Sequence, residues 1–266
     1  MTNSTATVFA KAKAEGRAAL VGYLPAGFPD VDGGVEAMRI MVEHGCDAIE
    51  VGLPYSDPVM DGPTIQAAAQ RALEGGVRTR DVLSTVEAVA GTGAPVLVMT
   101  YWNPVERYGV DRFAADLAAA GGAGLITPDL VPDEAHAWVS AADKHELDKV
   151  FLVAPSSTDE RLAMTAAACR GFVYATAVMG VTGARERTSD LAGPLVARTK
   201  AVTDLPVAVG LGVSDGDQAA EVARHADGVI VGSAFVRVLL DAPDRKAGLS
   251  ALADLTRDLA EGVRRA

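Results

Sequence analysis

Short apolar runs alternate with longer amphipathic segments along the chain. The runs Ala19–Leu24, Ala48–Gly52, Val96–Thr100, Gly124–Thr127, Val150–Val153, Phe172–Ala175, Val207–Gly210 and Gly228–Gly232 consist almost entirely of apolar residues and glycine. A strand with one wet face alternates apolar and polar positions, whereas a strand covered on both faces does not. These eight segments therefore predict strands of a parallel sheet. Between them, apolar positions recur at helical spacing near Val31–His44, Thr64–Glu74, Arg80–Val89, Asp111–Ala120, Asp133–Lys144, Asp159–Cys169, Leu191–Val202 and Asp215–Arg224. A last helix is predicted over Lys246–Arg264, and an extra one, Thr5–Glu15, precedes the first strand. Thr158-Asp159-Glu160, Ser214-Asp215 and Pro132-Asp133-Glu134 read as helix starts. His44-Gly45, Glu74-Gly75 and Ala120-Gly121 read as helix stops.

Eight strand–helix units in succession predict an α/β protein, a (β/α)8 TIM barrel with an extra N-terminal helix. The alternative is a doubly wound open sheet. Its glycine-rich fingerprint belongs after the first strand, whereas the glycine-rich turns here fall late. No linker-like stretch divides the 266 residues. Residues 1–266 are therefore expected to form a single barrel domain, which is close to the roughly 250 residues of a typical barrel.

Charge changes this picture in one respect. There are 24 Lys+Arg against 35 Asp+Glu, a net charge of −11. An acidic surface disfavours a nucleic-acid partner, because phosphate backbones require positive charge. No apolar run approaches the ~18 residues of a membrane span, and the N-terminus lacks the basic-then-apolar order of a secretory signal. Cys46 and Cys169 read as reduced thiols. These features predict a cytoplasmic protein. An acidic chain can still hold a small anion through backbone N–H groups and helix ends.

In a barrel, chemistry belongs to the loops after the C-terminal strand ends. Glu50 interrupts the apolar strand Ala48–Gly52. If Ile49 and Val51 face the helices, Glu50 faces the barrel interior, where a carboxylate is costly unless paired or protonated. The loop Leu53–Thr64 is long for a strand-to-helix connection. It holds three prolines and two more acids, Asp57 and Asp61. Asp61-Gly62-Pro63-Thr64 fits either a helix cap or a functional acid. Two carboxylates in different environments have pKa values pushed apart, which suits acid–base work.

Three glycine-rich turns follow the last strands: Gly180-Val181-Thr182-Gly183, Gly210-Leu211-Gly212 and Gly232-Ser233-Ala234, the last opening a short helix. Glycines after strands seven and eight, with a helix start, are where barrels hold phosphate. Tyr23, Ile65, Tyr101, Trp102 and Tyr174 lie near strand ends or the long loop. They suit core packing, or a flat aromatic ligand if they border a phosphate site. No Lys or His falls at the C-terminal end of a predicted strand. This argues against a Schiff-base lysine, a zinc site or a histidine base, and points to carboxylate proton transfer on a phosphorylated substrate with no metal.

The run Glu50-Val-Gly-Leu-Pro-Tyr-Ser-Asp-Pro-Val-Met-Asp61-Gly-Pro-Thr-Ile-Gln66 resembles the signature of the tryptophan synthase alpha chain family. The resemblance extends over the chain, through Pro25-Ala-Gly-Phe-Pro29, Pro128-Asp129-Leu130 and the three glycine turns. It implies cleavage of indole-3-glycerol phosphate to indole and glyceraldehyde 3-phosphate, a lyase step of tryptophan biosynthesis. It implies Glu50 as general acid–base and Asp61 as stabiliser of positive charge at the indole nitrogen. Phosphate-binding roles are implied for Gly183, Gly212, Gly232 and Ser233. Tyr23, Ile65, Tyr101, Asp129 and Tyr174 are implied to line or support the indole pocket. Thr182 is implied to lie on a loop that closes over Asp61. The resemblance further implies an alpha2-beta2 heterotetramer, with Pro54, Asp57 and Pro58 against a beta chain that receives the indole. Pyridoxal phosphate belongs to that partner, and no cofactor is implied for this chain. Tyr23, where many members have Phe, and Ala177-Val178-Met179, where some are more polar, depart from the pattern.

Overall fold

Eight parallel strands close into a barrel in chain order in the computed structural model, which describes residues 4–176, 188–210 and 212–265, the side chains of 188–191 excepted. The strands are β1 (Ala19–Pro25), β2 (Ala48–Gly52), β3 (Val96–Met99), β4 (Gly124–Thr127), β5 (Asp148–Val153), β6 (Val173–Thr176), β7 (Val207–Gly210) and β8 (Gly228–Val231). β8 returns to β1 with Leu20 opposite Val229 and closes the sheet. The helices are α1 (Ala6–Ala14), α2 (Val31–Glu43), α3 (Pro63–Glu74), α4 (Thr79–Ala90), α5 (Trp102–Tyr108), α6 (Val110–Ala119), α7 (His136–Lys144), α8 (Asp159–Ala168), α9 (Thr188–Lys200), α10 (Gly216–Ala223), α11 (Ser233–Leu240) and α12 (Arg245–Gly262).

Alternate strand residues face opposite sides of the sheet, and the core divides accordingly. Val21, Ala48, Leu97, Ile126, Val150, Ala208 and Ile230 pack inside the barrel. Leu20, Ile49, Val51, Val98, Leu125 and Val229 pack outward against the helices. The near-absence of polar positions in the strands follows from this double coverage.

The N-terminal end of the barrel is plugged. Phe9 of α1 lies against Phe172, with ring centroids 5.1 Å apart. Asp148, at the start of β5, is fully buried. It accepts from the Thr5 N–H (2.8 Å), the Thr5 hydroxyl (2.7 Å) and the Ser4 hydroxyl (3.0 Å), which ties the entry to α1 onto the barrel floor.

Several elements differ from the pattern read in the sequence. β5 begins two residues early because polar Asp148 and Lys149 find partners at the floor, Lys149 Nζ lying 2.5 Å from Asp143. The helix expected from Asp133 is divided into a 3-10 turn, Pro132–Glu134, and α7. α5 was not expected. Its first N–H, at Trp102, donates to Asp129 Oδ1 at 2.9 Å, so its cap comes from the loop after β4. Local capping accounts for other starts: Asp30, Thr158, Asp215 and Asp244 each accept an N–H from the first turn of the helix that follows. After α3 the left-handed glycine is Gly76, with φ +84°, rather than Gly75.

Candidate active site

A cavity of about 450 Å³ opens at the C-terminal ends of the strands. Larger hollows between α2 and α12 (about 530 Å³) and between α2 and α4 (about 570 Å³) are lined by residues on or capping helices and hold no strand end. The strand-end cavity brings together Tyr23, Glu50, Asp61, Ile65, Tyr101, Tyr174, Gly212, Gly232 and Ser233. These residues come from β1, β2, β6, the first turns of α3 and α11, and the loops after β2, β3, β7 and β8, so the closed barrel is what makes them neighbours.

Glu50 has the inward parity of Ala48, while Ile49 and Val51 pack on the outer layer. It is fully buried. Among the described residues, neither of its carboxylate oxygens has a hydrogen-bond partner. Removing the charge from water without compensation favours the neutral acid, and burial pushes its pKa from 4.5 up to about 8. At neutral pH Glu50 therefore holds a proton that nothing else in the described chain accepts.

Asp61 occupies a different environment. Gly62, not Asp61, is the N-cap of α3, with Pro63 in the first turn and no side-chain cap bond. The Asp61 carboxylate is thus left to the cavity rather than spent on the helix. Its backbone carbonyl accepts from Gln66 Nε2 at 2.8 Å. Partial burial raises its pKa, and the neighbouring Tyr101 hydroxyl opposes that shift. The same hydroxyl accepts the Met60 N–H at 2.9 Å, and the Tyr101 ring lies 5.3 Å from that of Tyr55. Tyr101 therefore anchors the loop that carries Asp61 as well as lining the cavity.

The tyrosines fit because glycines face them. A Cβ on Gly52 would stand 2.3 Å from the Tyr23 hydroxyl, and one on Gly232 would stand 3.1 Å from Tyr23 Cδ1. The Tyr23 ring thus spans from β2 to the turn after β8. A Cβ on Gly210 would likewise stand 2.3 Å from the Tyr174 hydroxyl. Burial raises both tyrosine pKa values well above 10, and nearby acids add to the effect, so both remain neutral hydroxyls.

Gly212 has φ +69°, a left-handed conformation that favours glycine. Gly232 is the N-cap of α11 and offers no side chain to it. The first N–H groups of a helix have no carbonyl four residues back, and here the first residue of the helix, Ser233, lines the cavity. Together with the positive end of the helix dipole they make a cradle suited to a small anion.

Several expected site residues lie elsewhere. Asp129 is exposed and does not line the cavity; it supports it by holding the start of α5. Pro54 is buried beneath the loop, Pro58 is half-buried, and Asp57 is exposed. Thr182, Gly183 and Ala177-Val178-Met179 fall outside the described residues. The cavity also contains Arg237 of α11, which motif reading missed because the glycine turn stopped at Ala234. The i to i+4 spacing from Ser233 to Arg237 is the signal that would have found it. Among the described residues, no group of three or more His, Cys, Asp or Glu is placed to hold a metal ion. Nor, among these residues, is any helix long and apolar enough to cross a membrane.

Comparison with known proteins agrees with this geometry. Residues 9–264 match the family described as Tryptophan synthase alpha chain. The tryptophan synthase alpha chain of Salinispora arenicola is 66% identical over 256 residues, covering 96% of each chain. That of Mycobacterium marinum is 63% identical, covering 97% of this chain and 93% of its own. A structure of Mycobacterium tuberculosis tryptophan synthase superposes with a TM-score of 0.91 at 60% identity, covering 98% of both chains. The tryptophan synthase subunit alpha of Legionella pneumophila gives 0.89 at 33% identity, covering 99% of this chain and 98% of that one. With a matching fold, near-complete coverage and high identity, the chain belongs to the tryptophan synthase alpha chain family.

Proposed function

We propose that Glu50 and Asp61 carry the family's lyase reaction in this chain, the cleavage of indole-3-glycerol phosphate to indole and glyceraldehyde 3-phosphate. The observation that carries the reading is a buried Glu50, without a hydrogen-bond partner among the described residues and with its pKa raised by burial, sharing one cavity with Asp61 and the anion cradle of α11.

The bond to be broken joins the indole ring carbon to the glycerol side chain. It breaks once that ring carbon has gained a proton and the adjacent side-chain hydroxyl has lost one. Protonated Glu50 delivers the first proton, and its carboxylate then accepts the second, so the group returns to its starting state. Protonation of the ring carbon places positive charge on the indole nitrogen. The Asp61 carboxylate stabilises that charge, and it does so more strongly in a partly dry site than in water. The acid must be neutral and its partner ionised, and the full burial of Glu50 against the half-exposure of Asp61 favours that division. Tyr23, Ile65, Tyr101 and Tyr174 hold the flat indole. Gly212, Gly232 and Ser233 hold the phosphate, and the family resemblance adds Gly183 to that role and implies closure over Asp61 for Thr182, both outside the described residues.

The whole chain, residues 1–266, works as one cytoplasmic domain without a cofactor of its own. Its partner is a pyridoxal-phosphate beta chain in an alpha2-beta2 heterotetramer. The surface for it is the loop 53–62, with Pro54 buried at its base, Pro58 half-buried, Asp57 and Val59 exposed, and Met60 at the rim of the cavity. Val59 is 78% exposed and Met60 52%, unusual values for apolar side chains. Product analysis with indole-3-glycerol phosphate tests the activity: stoichiometric indole and glyceraldehyde 3-phosphate support it, and no cleavage with or without a beta chain rejects it.

A further inference from the structure

The anion cradle of α11 is built from backbone groups and carries no cation of its own. We propose that Arg237 is a further substrate-binding residue, one that draws the phosphate dianion into the cradle of α11 and holds it there. This rests on the phosphate-site reading above. Three observations carry it.

Arg237 stands four residues after Ser233 on α11, so the two side chains share one helix face, and both line the cavity. Among the described residues, Arg237 is the only cationic side chain that does so. Its guanidinium is also unengaged. Several other arginines of this acidic chain are taken up by carboxylates, as Arg17 is by Asp47, Arg198 by Asp159 and Arg245 by Glu36. The Arg237 side chain is exposed and, among the described residues, forms no hydrogen bond or ion pair.

The chemistry fits the vacancy left by the backbone. N–H donors at a helix start bind a phosphate but carry no net charge. A chain at −11 repels a dianion at long range. A guanidinium at the mouth offsets that repulsion and presents a planar fork that matches two phosphate oxygens. Because it touches the part of the substrate that does not react, its contribution is the same in the ground state and the transition state, and its loss falls on KM rather than kcat.

The test compares wild type, Arg237→Gln and Arg237→Lys in steady-state cleavage of indole-3-glycerol phosphate. Competitive inhibition is measured with glycerol 3-phosphate, which carries the phosphate without the ring, and with indole, which carries the ring without the phosphate. Arg237→Gln raises KM and the inhibition constant of glycerol 3-phosphate about tenfold, as expected for one charge-assisted bond at a wet site, and leaves the indole constant unchanged. Added salt weakens wild type more than the variant, and Arg237→Lys recovers part of the loss. A glycerol 3-phosphate constant unmoved in Arg237→Gln, while that compound still competes in wild type, overturns the role of Arg237 and leaves the cradle standing. Failure of glycerol 3-phosphate to compete in wild type overturns both.

Discussion

Replacing Glu50 by Gln isolates the consequence of burying an unpaired acid. The two side chains are nearly the same size and differ in whether they titrate. Glu50 is fully buried, and burial raises its pKa from 4.5 to about 8. The folded protein therefore binds this proton more tightly than the unfolded chain does. The resulting stability is fully present below pH 4.5 and is lost as pH rises toward 8, where the folded state must either release the proton or unfold. Each pH unit corresponds to about 1.4 kcal/mol, so the full window amounts to about 5 kcal/mol. About 4 kcal/mol of it falls between pH 5 and pH 9. Urea unfolding of wild type and Glu50→Gln at those two pH values measures the effect. The stability of wild type relative to the variant falls by about 4 kcal/mol on going from the acid to the alkaline condition. A difference that does not change with pH would refute the reasoning, and one that changes in the opposite direction would mean that the carboxylate is paired in the folded state.

Three further outcomes follow from particular contacts. Tyr101→Phe removes the acceptor of the Met60 N–H and loosens the loop carrying Asp61; kcat/KM falls about tenfold, and retention of full activity would show that the loop is held by other means. Gly52→Ala drives a methyl into the Tyr23 ring; overpacking of about 1–3 kcal/mol appears as a lower unfolding midpoint and weaker indole binding, both partly restored by adding Tyr23→Phe. Asp148→Ala strips the partners from Ser4 and Thr5 at the barrel floor; urea unfolding shows a loss of about 2–4 kcal/mol, while kcat stays within about twofold because the floor is remote from the chemistry.

The strands were legible in the sequence because each is covered on two sides, so a near-continuous apolar run is the only pattern that fits. The inward direction of Glu50 followed from parity alone. Legibility failed wherever a partner distant in the chain settled the outcome. The cap of α5 is Asp129, 27 residues from the N–H it accepts. The early start of β5 depends on Ser4, Thr5 and Asp143. The segment at Asp61 allowed both a cap and a functional acid, and only the placement of Gly62 as N-cap left the carboxylate to the cavity. Tyr101 was legible as a pocket residue but not as an anchor, since Met60 lies 41 residues away. Arg237 was within reach of the sequence, because Ser233 and Arg237 share a helix face, but a motif of glycines carries no information about the next turn of helix.

The central claim is that a buried neutral carboxyl and a second carboxylate across the same cavity break the carbon–carbon bond. It is tested most directly by timing indole release from saturating indole-3-glycerol phosphate with wild type and Glu50→Gln, alongside direct measurement of substrate binding to each. The carboxylate mechanism predicts that the variant binds the substrate within a few-fold of wild type and loses at least about a hundredfold in the rate of indole formation, the size expected for removal of a general acid–base group. A variant that binds normally and releases indole at a near-wild-type rate would contradict it.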